Sequence, residues 1–277
     1  MLKNKSAVIT GGSRGIGLAI ATALAKAGSL VTLIARDVEE LKKARATIVP
    51  SDKVSIVALD VGDAGAVGKF AGGLSRLDIL VNAAAVVTPI GPVESVDPEA
   101  WLELLRINVF GTFLMTQACT PLLAQGGNGT IINFVGGGEG AFPNFSAYAA
   151  SKGAIARFTE TIAAELKDKN ITVNAIAPGA VNTKMTEDML AAGVSAGKQY
   201  ERAQKQKEDT EATPEKAVRL ALWLCSEKAR GVSGKIISAK WDDYEHFPEH
   251  EGELMSSDVY TMRRVQAKDR GFDWGDT

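Results

Sequence analysis

Val8-Ile9-Thr10-Gly11-Gly12-Ser13-Arg14-Gly15-Ile16-Gly17 joins an apolar, strand-prone run to a helical one. Glycines 11, 15 and 17 permit a tight turn and a close approach of backbone to a bound group. The helix that opens near Gly15 turns unpaired N–H groups and the positive end of its dipole to the same place, which suits a pyrophosphate. A glycine triad alone says little. Between a first strand and a helix within a βαβ unit it points to a dinucleotide, with Gly11, Ser13, Arg14, Gly15, Ile16 and Gly17 as candidate contacts. The bland alternative is a glycine-rich turn that holds nothing.

The rest of the chain repeats this strand–helix rhythm. Apolar, strand-prone runs fall at 7–10, 30–35, 54–59, 79–82, 130–135, 171–177 and 235–238. Helical patterns lie between them, near 15–27, 38–48, 63–75, 98–124, 146–168 and 213–226. The runs are apolar at consecutive positions, as strands covered on both faces must be. The alternation predicts an α/β fold: one domain, a doubly wound parallel sheet with helices on both faces and right-handed crossovers. That domain is expected over residues 1–239. Residues 182–212 are polar and rich in Lys, Gln and Glu, and read either as a mobile lid or as a surface helical excursion. Residues 240–277 form a C-terminal extension with Trp241, Trp274 and both histidines. So aromatic a tail is expected to pack on the core or on a neighbouring subunit.

Composition narrows the function classes. The 277 residues are 45% hydrophobic and 23% charged, which excludes a disordered chain, a disulfide-stapled miniprotein and a collagen-like fibre. Thirty-one basic residues against 33 acidic ones leave a net charge of −2, which favours no nucleic-acid partner. Cys119 and Cys225 lie in helical apolar patterns and are expected as buried free thiols of a reducing compartment. No targeting segment is visible, and the apolar stretch 77–93 is interrupted by Asp78, Pro89 and Pro92. The expectation is a cytoplasmic protein without a membrane span. His246, Glu249, His250 and Glu251 suggest a metal, but Pro248 keeps them off a shared helix face, and none is expected.

The end of the second strand bears on the cofactor. A carboxylate there would bind the ribose 2′-hydroxyl of NAD. The position holds Ala35, and Arg36 follows. Arg36 and Arg14 could then pair with a 2′-phosphate, which favours NADP over NAD. Asp37 pulls the other way, and Arg36 could equally be a solvated charge. Farther on, Tyr148 and Lys152 stand one helical turn apart, on a helix with a core stripe at Ile155, Phe158, Ile162 and Leu166. An ammonium beside a phenol favours the phenolate and is expected to lower its pKa from about 10, making Tyr148 a general acid/base. Taken alone, such a pair is commonplace.

Taken jointly, these pieces resemble the short-chain dehydrogenase/reductase family. Thr10-Gly11-x-x-x-Gly15-x-Gly17, Asp60-Val61, Asn82-Ala83-Ala84, Asn108, Tyr148-x-x-x-Lys152 and Pro178-Gly179-x-Val181-x-Thr183 occur in the family's order and spacing over residues 3–239. The resemblance implies a Rossmann-type sheet and a role for each position. Asp60 and Val61 would hold the adenine, and Asn82 would support the turn beside the adenosine ribose. Asn108 would hold a water in a proton relay, or else cap or kink its helix. Tyr148 would exchange a proton with the substrate oxygen, while Lys152 would bind the nicotinamide ribose and tune Tyr148. Pro178, Gly179, Val181 and Thr183 would line the nicotinamide pocket. The implied activity is that of an NAD(P)-dependent oxidoreductase moving hydride between a nicotinamide and a carbonyl or secondary alcohol. A homodimer or homotetramer packed through the helices near 98–124 and 146–168 is implied as well.

Two departures stand out. The family's serine about a dozen residues before the tyrosine falls here on Val135 or Gly136, neither with a side-chain donor. Ser146 would sit on another helix face. Backbone of the 136–138 glycine run, a water or a substrate group could replace the hydroxyl, or Glu139 could enter the site. The alternative is a nucleotide-binding pseudoenzyme with a regulatory or scaffolding role. The second departure is Lys240-Trp241-Asp242-Asp243 in place of a closing Asp-Gly-Gly. The basic, polar 182–212 segment and the tail suggest a polar, anionic substrate such as a sugar nucleotide or an acyl carrier conjugate.

Overall fold

Seven strands are apolar enough to lie between two helix layers, and in the computed structural model, which describes residues 2–136 and 141–274, they form one parallel sheet. They are β1 (Ser6–Thr10), β2 (Leu30–Ala35), β3 (Val54–Ala58), β4 (Ile79–Asn82), β5 (Gly129–Phe134), β6 (Ile171–Ala177) and β7 (Ile236–Ser238). Their order is β3-β2-β1-β4-β5-β6-β7. The order reverses between β1 and β4, where Thr10 pairs with Asn82, and a crevice opens beyond the strand ends at such a point.

One face of the sheet is covered by α1 (Gly15–Lys26), α2 (Val38–Thr47) and α9 (Glu215–Leu224), through Ile20, Leu24, Leu41, Leu220 and Leu224. The other is covered by α3 (Ala64–Gly72), α5 (Gly111–Gln125) and α6 (Ser146–Glu165), through Val67, Met115, Leu123 and Ile162. Aspartates set three helix starts. Asp37, Asp63 and Asp97 accept from the first-turn N–H groups of α2, α3 and α4 (Pro98–Leu105).

The helix expected over 98–124 runs unbroken from Pro98 to Gln125, with a π-helical stretch at Arg106–Phe110 between α4 and α5. A Cβ at Gly111 would lie 2.5 Å from Val61 Cγ2, so the missing side chain lets the helix press close against the segment after β3. The run Pro98–Gln125 is long and apolar enough to cross a bilayer, but half of its most apolar window is buried inside this fold.

The 182–212 segment is a helical hairpin, α7 (Lys184–Ala191) and α8 (Lys198–Glu208). Tyr244, Phe247 and the Leu254 of α10 (Glu251–Ser256), all beyond β7, are buried in the same cluster as Trp223 of α9. Tyr244 and Phe247 set their rings 5.2 and 6.2 Å from Trp223. The chain then runs along the outer edge of β7, where Ile236 N–H donates to Tyr260 O at 2.8 Å. Cys119 and Cys225 are buried free thiols, pushed up to about 12 by burial.

Candidate active site

The crevice at the order reversal is a cleft of about 410 Å³. The glycine cradle forms one wall, with Gly11, Ser13, Arg14, Gly15, Ile16 and Gly17 all lining it. Gly11 has φ +64°, and a Cβ there would come within 2.8 Å of Ala83 O and Ala84 N. One at Gly17 would meet Gly11 O at 2.4 Å. Both glycines are therefore sterically required. The Arg14 side chain at the N-cap does not cap α1, and no hydrogen bond among the described residues takes up its first N–H groups from another side chain, so they stay available at the cleft. A narrow cradle over an uncapped twelve-residue helix fits a dinucleotide's pyrophosphate.

Arg36, Asp60 and Val61 line the same cleft. Arg36 is exposed and makes no hydrogen bond or ion pair among the described residues. Asp37 is committed elsewhere: its Oδ1 accepts from Glu39 N and Glu40 N at 2.8 and 3.0 Å. Those two backbone hydrogen bonds hold its carboxyl below the usual range. Glu40, which the sequence reading missed, also lines the cleft; the Asp-x-x-Glu spacing of a helix start was its only signal. It accepts from Ser13 Oγ at 3.2 Å and pairs with Arg14 at 3.4 Å. Asp60 accepts from Arg106 Nη2 at 2.8 Å and Gly62 N at 2.9 Å. Burial works to raise its pKa, but the Arg106 and Gly62 bonds outweigh that and leave the carboxyl acidic.

Tyr148 and Lys152 sit one turn apart on α6, both buried. Lys152 Nζ donates to Phe134 O at 3.0 Å and lies 5.5 Å from the centroid of the Tyr148 ring. A Cβ at Gly136 would come 3.9 Å from Tyr148 Oη, so Gly136 is the position that faces the phenol. Val135 is buried among Ile155, Ala156 and Ala175 instead. Gly137, Gly138 and Glu139 lie outside the described residues. Ser146 Oγ is taken up by Trp101 Nε1.

The expected acidification of Tyr148 does not hold. Burial pushes its pKa up to about 12 and pulls Lys152 down to about 8. Both charged forms lose hydration, and that loss exceeds their mutual attraction. The phenol is therefore neutral at pH 7, the state in which it donates a proton.

Its surroundings explain the burial. Tyr148 packs in a cluster with Val87, Leu104, Phe145, Ala147 and Ala196, edged by Ile90, Trp101, Phe142, Met185, Met189 and Tyr200. Met185 and Met189 come from α7 and Tyr200 from α8. The hairpin thus turns an apolar face to the phenol, whereas its cations Lys198, Arg202, Lys205 and Lys207 are exposed. Lys184 of the same hairpin, by contrast, lines the cleft, where it pairs with Asp188.

Asn108 lies in the π-helical stretch. Its side chain accepts from Val86 N at 2.9 Å and donates to Val86 O and Ser151 Oγ at 2.9 and 3.1 Å. Ser151 Oγ in turn donates to Tyr148 O at 2.7 Å. Both amide hydrogens of Asn108 are thus used on protein partners, so that side chain positions α6 and the chain after β4. Asn82 donates to Thr116 Oγ1 and Asn133 Oδ1, tying β4 to α5 and β5, and its Oδ1 has no partner among the described residues.

Thr183 lines the cleft, with its Cγ2 3.3 Å from the Cβ position of Gly15. Pro178, Gly179 and Val181 follow β6 outside that lining, and Gly179 lies beside Lys240 of the tail. The lining also includes Ala85, Val86 and Met185, which carry no motif to reveal them. His246 and His250 are surface residues paired with Asp243 and Glu253.

Comparison with known proteins agrees with this architecture. The family model for short chain dehydrogenase matches residues 5–193. A short chain dehydrogenase of Monascus purpureus, mpl6, is 32% identical over 277 residues, covering 94% of this chain and 89% of its own. The 2-(S)-hydroxypropyl-CoM dehydrogenase 3 of Xanthobacter autotrophicus is 34% identical over 84% of this chain and 94% of its own. The crystal structure of NAD+-bound xylitol dehydrogenase superposes with a TM-score of 0.77 at 26% identity, over 86% of this chain and 98% of its own. The chain belongs to the short-chain dehydrogenase/reductase family, an oxidoreductase family with a Rossmann-type fold.

Proposed function

We propose that this protein is an NADP-preferring oxidoreductase that reduces an apolar carbonyl, or oxidises the corresponding secondary alcohol. The observation that carries the reading is Tyr148, neutral and buried, beside Lys152 on one face of α6, with Gly136 opposite its hydroxyl. The cradle and the α1 N-terminus would hold the pyrophosphate, and Arg36 and Arg14 the 2′-phosphate. Bound there, a nicotinamide supplies or accepts hydride.

The chain's own residues handle the proton. Tyr148 Oη gives its proton to the substrate oxygen, and the Lys152 ammonium offsets the negative charge left on the phenol. Lys152 is held for this by Phe134 O, and α6 by the Ser151–Asn108 bonds. The apolar edge of Ile90, Phe142, Met185, Met189 and Tyr200 selects a substrate whose body is apolar.

The test is Tyr148→Phe with a bulky alicyclic ketone such as 2-decalone. Turnover should fall by about 10² to 10⁴ while NADPH binding is retained. Unchanged turnover refutes the reading. A nucleotide-binding role without turnover is the second reading, favoured by the missing donor at Gly136. Binding of NADPH with no reduction of any carbonyl in a broad panel would select it.

We also propose a homo-oligomer formed through α5 and α6. Phe110 and Phe113 are exposed and stack at 6.1 Å, and Phe113 meets Phe158 of α6 edge-on at 6.3 Å. An aromatic ladder of this kind on a protein surface fits a second copy of the same face.

A further inference from the structure

The end of the cleft read above as the 2′-phosphate subsite holds Arg14 and Arg36 with Ser13 beside them, and it also holds two carboxylates, Asp37 and Glu40. Asp37 is held by backbone N–H groups; Glu40, on the first turn of α2, reaches the cradle. The Asp37 cap, which accepts from Glu39 N and Glu40 N, fixes this turn against the glycine cradle. Glu40 Oε2 accepts from Ser13 Oγ at 3.2 Å, and Glu40 Oε1 lies 3.4 Å from Arg14 Nη1. The carboxylate therefore engages one of the two arginines assigned to the phosphate and the cradle hydroxyl beside it. Arg36 is left without an ion pair among the described residues.

An entering phosphate monoester and Glu40 would compete for the same donors, and both are anions. The phosphate must break both Glu40 bonds and move the carboxylate away. A ribose 2′-hydroxyl has no such conflict, since it is uncharged and can donate to a carboxylate.

We propose that Glu40 is a specificity-determining residue, a resident anion that competes with the cofactor's 2′-phosphate for Ser13 and Arg14 and so narrows the preference for NADP over NAD. The inference rests on the NADP reading of this site. The pair is partly exposed, so its own strength is modest, and repulsion of the incoming phosphate adds to it. Removing the charge should tighten binding of a 2′-phosphorylated ligand by about tenfold at low salt, and by less as salt screens it.

The experiment measures dissociation constants by titration calorimetry on the full chain, wild type and Glu40→Gln. The probes are NADPH, NADH, adenosine 2′,5′-bisphosphate and adenosine 5′-monophosphate. The expected result is a gain of about tenfold for the two 2′-phosphorylated probes, with the other two within about twofold. Equal changes in all four, no change, or weaker binding of the 2′-phosphorylated pair overturns the proposal. Weaker binding would mean that Glu40 orients Arg14 for the phosphate. Glu40→Ala must shift the preference in the same direction as Glu40→Gln, and opposite signs also overturn it. Arg36→Ala separates the two levels of argument. If it leaves NADPH binding untouched, or if the wild type binds neither dinucleotide, the NADP reading fails and Glu40 falls with it. If Arg36→Ala weakens NADPH but Glu40→Gln does nothing, only the role of Glu40 is lost.

Discussion

Lys152→Met tests how much of the proton transfer rests on one buried cation. Lys152 Nζ lies 5.5 Å from the Tyr148 ring centroid. With the phenolate charge centred on the ring and an effective dielectric of about 20, their attraction is about 3 kcal/mol. That energy applies only once the phenol has given up its proton, so its loss should lower kcat for reduction on the order of 10²-fold.

The wild type should also show a pH limb. Burial holds the Lys152 pKa at about 8, so the ammonium is present below that pH and is lost as pH rises through it. The reduction rate should fall across the same interval, and Lys152→Met should be slow and flat there. The assay is NADPH-dependent reduction of 2-decalone followed by absorbance, at saturating cofactor. The NADPH dissociation constant is measured in parallel, because the family resemblance assigns Lys152 to the nicotinamide ribose. A drop in kcat below about fivefold with cofactor saturated, or a pH limb that survives the substitution, would refute the electrostatic account.

Three other outcomes follow from the packing. Phe113→Asp places a charge in the Phe110–Phe113–Phe158 ladder and should convert an oligomer to monomer by light scattering; a mass unchanged from wild type removes α5 from the interface. Phe247→Ala should lower stability by about 3–5 kcal/mol in urea titration, because its ring is buried against Trp223 and Tyr260; a loss under about 1 kcal/mol would mean that the tail is only loosely attached. Asp78 is buried and is opposed by that burial, but Arg76, Ser6 N and Lys5 outweigh it and keep its pKa low. Its contribution is present above the ordinary carboxylate range and is lost as pH falls through its depressed value. Asp78→Asn should flatten the acid limb of the stability curve, and an unaltered limb contradicts this.

Much of the sheet was legible because its strands are buried on both faces and are therefore mostly apolar on consecutive positions. The bounds 30–35, 79–82 and 171–177 read from the sequence are those of the structure. The π-helical stretch at Arg106–Phe110 was hidden, since the chain stays helical through it and one inserted residue leaves no signature residue type. At the site, the i, i+4 spacing located Tyr148 and Lys152 but gave the wrong sign for the tyrosine. The sign depends on how much water the hairpin, Phe142 and Phe145 exclude, and spacing along one helix carries no record of that. Glu40 was missed for a related reason: its partners are 26 and 27 residues away, across a turn whose geometry comes from the Asp37 cap. The tail does pack on the core, but through Tyr244 and Phe247 against Trp223; Trp241 and Trp274, whose presence suggested the packing, are exposed.

The backbone bond from Ile236 to Tyr260, with Lys235 Nζ held by Ser257 O and Val259 O, closes off a flank that would otherwise offer bare amides to any extended peptide nearby. A terminal strand left in that state is a template for runaway stacking. Shortened versions of the chain that stop at residue 239 should consequently be harder to keep in solution than the full length, whatever becomes of their catalysis.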